Sequence, residues 1–233
     1  MSDFVEHNRR AWNEVHERRR RARHIIGLPT DVLESLEPLA GVSVLHLQCA
    51  TGETTTQLVD RGAVVVGVDV ADEAISIARE LLPQASFVRA DVQDLPETLQ
   101  QASFDLVVTE GGVLPWLHDL DAWADGIVRA LRPGGRFVLV EEHPVGACVD
   151  GLRWTENYFD ESVFTDVGWE HFDLPGVPAT EQKHERFWRL GQVVTALGRA
   201  GLRIESLDER PGGWRGTDHR IPGTIVLRAR NGV

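Results

Sequence analysis

Apolar residues fall into short runs along most of this chain, and helical patterns separate the runs. Val42–Leu47, Ala63–Val68, Ser86–Arg89, Phe104–Thr109 and Arg136–Glu141 read as strands, with Thr54–Asp60, Asp72–Leu82 and Asp121–Leu131 as helices between them. Strands alternating with helices are the pattern of βαβ units, which build a parallel sheet. Runs such as Val64-Val65-Val66 are apolar at successive positions, as expected of strands covered on both faces. Pro133-Gly134-Gly135 marks a turn, because Pro cannot extend the preceding helix and Gly supplies permissive backbone. The rhythm returns with a helix over Leu190–Ala200, a stop at Gly201, and strands at Leu202–Leu207 and Thr224–Ala229 around the turn-rich Pro211–Pro222.

Two segments break this order. Phe4, Ala11, Trp12 and Val15 stand among charges over residues 3–23, which predicts an amphipathic helix outside the sheet and makes residues 1–38 an N-terminal helical lid. Residues 143–188 carry scattered aromatics, Pro175 and Pro178 with little periodicity, and read as an irregular insert on the substrate side. The 233 residues then suit a single α/β domain, long enough to bury a full core.

Composition narrows the partners. With 42% hydrophobic and 26% charged residues the chain is ordinary globular material, and a net charge of −12 argues against nucleic acid or anionic membrane as a ligand. The run Arg18, Arg19, Arg20, Arg21, Arg23 reads as a solvated helix face. Cys49 and Cys148 belong to no CxxC or Cys/His cluster, and no ligand spacing suggests a metal. The opening MSDFVEHNRR has no apolar core of a secretion signal, and no apolar stretch has membrane-spanning length, so the expected location is the cytoplasm. Oligomeric state is left open.

The most informative chemistry lies in Val44-Leu45-His46-Leu47-Gln48-Cys49-Ala50-Thr51-Gly52-Glu53-Thr54. A buried strand runs into a turn of small residues and then a helix, whose first N–H groups favour polar or anionic ligands. The next strand ends in Asp69, where a carboxylate can accept both hydroxyls of a ribose. Its competing role is as cap of the following helix, for which Asp72 is better placed. The third strand runs out through Arg89-Ala90-Asp91-Val92, so that Asp91 lies near the same edge and could accept from an adenine amino group while the Val92 N–H donates to the ring; Val70 could pack on the adenine face. The first loop lacks GxGxxG, which weakens a nicotinamide reading.

Taken in order, VLHLQCATGE, VVGVDV, RADVQDLP, FDLVVTEGG and LRPGGRFVLVEEHP resemble the class I S-adenosylmethionine-dependent methyltransferases over roughly residues 40–144. The HLQC first motif, with Trp116-Leu117 and His143-Pro144, is similar to a bacterial subgroup. The resemblance implies a Rossmann-like, seven-stranded, mostly parallel sheet with helices on both faces and an antiparallel last strand. It also implies methyl transfer to a small organic acceptor, with S-adenosyl-L-methionine as cofactor. Gln48, Ala50 and Gly52 would hold the methionine part, Asp69 the ribose, Asp91 and Val92 the adenine, and Thr109 and Glu110 the floor near the sulfonium. The family usually has an acidic residue at the place of His46 and Gly at those of Gln48 and Ala50, which leaves open the contacts to the cofactor's amino and carboxylate groups, with Arg9 or Arg10 as candidates for the latter. These departures also motivate a second reading, a catalytically silent binding or regulatory protein on the same fold.

On the acceptor side, methyl transfer from a sulfonium needs positioning more than covalent help, though a hydroxyl acceptor needs a base. His143, beside Glu142 at a strand end, is the candidate base. Trp116, Tyr158, His184 and Trp188 are the candidate substrate residues, with Trp154, Trp169, Phe187 and His171 on the same side.

Overall fold

The computed structural model describes residues 2–20, 27–150, 153–169, 179–212 and 219–232. Helix α1 covers Asp3–Arg19; Ser2 caps it by accepting from the Val5 N–H, and Asp3 and Glu6 in the first turn complement the helix dipole. Helix α2 (Thr30–Ser35) follows, then β1 (Ser43–Leu47), α3 (Glu53–Val59), β2 (Val64–Asp69), α4 (Asp72–Leu81) and β3 (Ser86–Arg89). The second half holds β4 (Phe104–Glu110), α5 (Leu120–Ala130) and β5 (Leu131–Glu142). Asp119 caps α5 through the Ala122 N–H. The Pro133-Gly134-Gly135 turn lies within β5, where pairing with β4 jumps from Phe104↔Leu131 to Leu106↔Arg136.

Residues 143–188 hold more regular structure than their periodicity suggests. The short helix α6 (Pro144–Ala147) is followed by the pair β6 (Val149–Asp150) and β7 (Arg153–Trp154), and by the antiparallel pair β8 (Val163–Val167) and β9 (Gln182–Arg186). Every residue of β8 is exposed, so no inward apolar alternation marks it as a strand. Pro175, Pro178 and His171 lie outside the described residues. The chain closes with α7 (Leu190–Ala200), ended by Gly201 at φ 109°, then β10 (Leu202–Pro211) and β11 (Pro222–Asn231).

Seven strands form one sheet in the order β10-β11-β5-β4-β1-β2-β3. All run parallel except β11, which is antiparallel to both neighbours. Successive residues serve opposite faces: Leu45, Val107 and Leu139 pack with Trp123, Ile127 and Leu197 of α5 and α7, whereas Val44, Leu106 and Val138 pack with Val32, Leu33 and Leu58 of α2 and α3. Burial on both faces is the physical reason for the unbroken apolar runs. Strand order reverses between β1 and β4, and in open α/β sheets the crevice at that reversal, at the carboxyl ends of the strands, is where ligands bind.

Candidate active site

A cavity of about 360 Å³ lies at that crevice, with the β1–α3 loop, the ends of β2, β3 and β4, and α1 around it. Its size falls in the range of small-molecule sites. Gln48, Ala50, Asp69, Val70, Asp91, Val92, Glu110 and Trp116 all line it. Gly52 and Thr109 stand behind the surface, the first as N-cap of α3 and the second fully buried in β4.

The first loop is bent by left-handed backbone. Gln48, Ala50 and Gly52 have φ of 52°, 44° and 93°. Only Gly adopts that region freely; a side chain there costs about 1 to 2 kcal/mol. Gln48 and Ala50 therefore stand where the turn itself favours glycine. They keep the bend of a glycine loop and accept its strain.

Asp69 holds this loop in place. Its Oδ2 accepts from the Ala50 N–H at 2.9 Å and its Oδ1 from the Ala71 N–H at 2.9 Å. Burial pushes its carboxyl above the usual range, while those N–H groups pull it back. Neither Asp69 nor Asp72 caps α4: the N-cap position is Ala71, with no side-chain bond. Asp72 instead meets Arg9, Asn13 and Arg89. Asp91 Oδ1 accepts from the Gln93 backbone and side chain, and Gln93 Oε1 accepts from the N–H groups of His118 and Asp119, which ties the β3 edge to the start of α5.

At the end of β4, Glu110 faces the cavity and accepts from Thr54 Oγ1 at 2.9 Å. Burial raises its pKa to about 7, and the nearby Glu53 carboxylate adds to the rise against the Thr54 bond. Gly111 and Gly112 follow, at φ 89° and 79°; a Cβ on either would meet no heavy atom within 4 Å, so they turn the chain along open cavity.

The loop beyond them carries Trp116 on a single 3-10 turn over Leu114–Trp116. Glu141, buried in β5, accepts with Oε2 from the N–H groups of Val113 and Leu114 at 2.6 and 2.9 Å, and with Oε1 from Glu142. Burial lifts its pKa to about 7. Trp116 donates its indole N–H to the Gly112 carbonyl and packs edge-on against Trp12, which in turn packs on Trp169 with ring centroids 4.6 Å apart. This aromatic wall joins the first segment, the β4 loop and the insert.

Helix α1 meets the cavity with Val5, Asn8, Trp12 and His16, and its C-cap Arg20 follows, close to every fourth residue. Of the described residues in 1–38, only α1 and Arg20 line it; Leu28, Val32, Leu33 and Leu36 belong to the sheet core. One edge of α1 is tied to α4 through Arg9, Asn13 and Arg20, which pair with Asp72, Glu73 and Glu80. The other edge meets the insert, where Asn8 exchanges both side-chain bonds with the backbone of His184 and Glu14 accepts from Thr180 and Glu181. Arg9 and Arg10 are engaged with Glu6 and do not line the cavity. Arg20, read with its neighbours as part of a solvated basic face, instead lines the cavity and pairs with Glu73 and Glu80, while Arg18 pairs with Glu14 and Arg21 and Arg23 lie outside the described residues. Composition and motif do not single out Asn8, His16 or Glu141; with Trp12, the four-residue spacing of Asn8 and His16 is the available signal.

The other predicted residues stand apart from the cavity. His143 is buried beyond β5, with Nδ1 accepting from the Val145 N–H at 3.1 Å and Nε2 2.9 Å from Glu209 Oε1. It caps α6, and burial lowers its pKa against the pull of Glu209. Tyr158 accepts from the Leu190 N–H, and Trp188 donates to the Leu117 carbonyl behind the Trp116 turn. His184 joins His7 at 2.9 Å in the α1 contact. Trp154 is exposed, and Phe187 packs on Phe164. His46 points under α3, its Nδ1 2.8 Å from Thr55 Oγ1. No group of three or more metal-ligating side chains occurs among the described residues, and none of their helices is long and apolar enough to cross a membrane.

Residues 45–139 match the family model described as a methyltransferase domain. The chain is 38% identical over 149 residues to an uncharacterized methyltransferase of Synechocystis, covering 58% of this chain and 67% of that one. It is 31% identical over 169 residues to the ubiquinone biosynthesis O-methyltransferase of Idiomarina loihiensis, covering 70% and 63%. Against an uncharacterized methyltransferase of Mycobacterium tuberculosis the identity is 36% over 112 residues, and the match spans less than half of that relative, 44%. Solved methyltransferase structures from Mesorhizobium loti and Listeria monocytogenes share the fold, with TM-scores of 0.64 and 0.67 at 23% and 20% identity; they cover 86% and 95% of this chain, which covers 96% and 99% of theirs.

Proposed function

The chain belongs to the methyltransferases, and on that premise we propose that it transfers the methyl group of S-adenosylmethionine to a small organic acceptor with an apolar or planar body. The observation that carries this reading is one cavity with two unlike halves. Asp69 and Asp91 stand at the ends of β2 and β3, and Trp12 and Trp116 form an aromatic wall beyond the end of β4. A ligand extended along the strand order from Asp91 through Asp69 and the first loop reaches Glu110 and then this wall.

The residues suit an adenosyl cofactor. Asp69 and Asp91 are acceptors for hydroxyl and amino groups, Val70 and Val92 are apolar neighbours, and the first loop brings backbone close to the ligand. When bound, the sulfonium supplies an already activated methyl carbon. The chain's own contributions are then to orient, to exclude water under α1, and to set charge at the floor. Glu110 is the cavity carboxylate at the junction of the halves, where it would face positive charge. His143 stays outside this scheme, since its ring is engaged with Val145 and Glu209.

Calorimetry with S-adenosylmethionine and S-adenosylhomocysteine, followed by a mass-spectrometric acceptor screen, tests the reading. Cofactor binding with turnover of a small aromatic or apolar acceptor is the expected result. Binding with no methylated product across the panel counts against it.

A further inference from the structure

Gln48 keeps a left-handed backbone, at φ 52°, while carrying a long amide side chain. Both ends of the amide are engaged: Nε2 donates to the Val113 carbonyl at 3.0 Å, and Oε1 accepts from Thr109 Oγ1 at 3.3 Å. Val113 leads into the turn that carries Trp116, and Glu141 grips the N–H groups of Val113 and Leu114. Two residues on from Gln48, Ala50 is bonded to Asp69. One side chain thus bridges the loop held by Asp69 to the loop that carries the aromatic wall. Strained residues persist where surrounding contacts over-determine them, as the bonds to Val113 and Thr109 do here.

We propose that Gln48 is a positioning residue that couples the first loop to the Trp116 loop, so that filling the cofactor half of the cavity orders the acceptor half. This rests on the reading of Trp116 as acceptor wall. The coupling works through hydrogen bonds alone. A ligand engaging Asp69 and the Ala50 turn fixes the Gln48 backbone; its amide then holds the Val113 carbonyl, and Glu141 resists the loop's retreat. The consequence is ordered binding, cofactor before acceptor.

The test uses the full chain with S-adenosylhomocysteine as probe, and reads amide hydrogen exchange over 111–117 together with Trp fluorescence, with Trp116→Phe as the reference that identifies the Trp116 signal. In the unaltered protein, saturating probe is expected to slow exchange over 111–117 by roughly tenfold or more. At probe concentrations that saturate it, Gln48→Gly is expected to lose the response of 111–117 while melting no lower than the unaltered protein, because the backbone strain is released. Gln48→Met, which keeps the side chain's length without its amide, is expected to lose the response as well. A purely structural Gln48 would give a lower melting temperature with the response retained, and that result overturns the proposal. So does loss of probe binding in both variants, which would make Gln48 a direct ligand, or an unaltered protein whose 111–117 amides ignore the probe. No acceptor is needed, so a failed acceptor screen and a failed coupling are separate outcomes.

Discussion

The backbone N–H of Ala50 donates to Asp69 Oδ2 at 2.9 Å, across the gap between the first two strands of the sheet. The carboxylate expected to meet a ribose is therefore also the clasp of the turn beside it. Asp69→Ala should remove both functions: affinity for S-adenosylhomocysteine is expected to fall on the order of 30-fold, the scale of a charged hydrogen bond, with a lower melting temperature. Calorimetry and a thermal melt separate the two. A lower melting temperature with unchanged affinity would leave Asp69 as a clasp alone.

Ala50 lies at φ 44°, so Ala50→Gly should stabilise the chain by about 1 kcal/mol and raise its melting temperature by roughly 2 to 4 °C. Ala50→Val should lower it, because a β-branched side chain is still less tolerant of that backbone. Scanning calorimetry of the two variants checks the sign.

His46 is buried without a carboxylate, and burial pushes its pKa from 6.5 to about 3. The unfolded chain takes up a proton below about 6.5 that the native chain refuses, so this residue's contribution to stability is lost as pH falls from there toward 3. Relative to His46→Met, the protein should lose about 1.4 kcal/mol per pH unit in that window. Parallel denaturation curves of the two proteins at pH 6 and 5 would contradict this.

Glu110 has the opposite sign. Its pKa rises from 4.5 to about 7, so the native chain keeps a proton that the unfolded chain releases, and stability declines as pH rises through that interval. A cationic ligand favours the ionised form. Affinity for S-adenosylmethionine should therefore increase between pH 6 and 8 more than affinity for the uncharged-sulfur product, and Glu110→Gln should flatten the difference. Equal pH dependence for both ligands would remove Glu110 from the sulfonium's surroundings.

Asn8 is buried, and its amide takes both backbone bonds of His184. Asn8→Ala leaves that N–H and carbonyl without partners, at about 1 to 3 kcal/mol each if they stay buried. The expected result is faster hydrogen exchange in α1 and β9, with α4 and the central strands unaffected. A uniform change across the chain would argue against Asn8 as a local fastening of α1 to β9.

The sheet was legible in the sequence because its strands are buried on both faces and its helices on one, so the apolar pattern itself carries the architecture. Helices α3 and α4 and strand β3 fall within a residue of Thr54–Asp60, Asp72–Leu82 and Ser86–Arg89, the segments that the apolar pattern predicts. The cavity positions of Asp69, Asp91 and Glu110 were legible for a related reason: Asp69 and Glu110 end their strands and Asp91 lies two residues past one, and such positions are fixed in space once the strand is. What the sequence left undecided depends on contacts between distant segments. Nothing in the pattern around His143 says that Glu209 lies beside it. The exposed β8 has no apolar alternation, and the role of Glu141 exists only because the Val113 turn folds onto β5. The position of Gln48 was readable from a motif, but its backbone angle and its reach to Val113 belong to the folded chain, where the first loop and the Trp116 loop come together at the strand reversal.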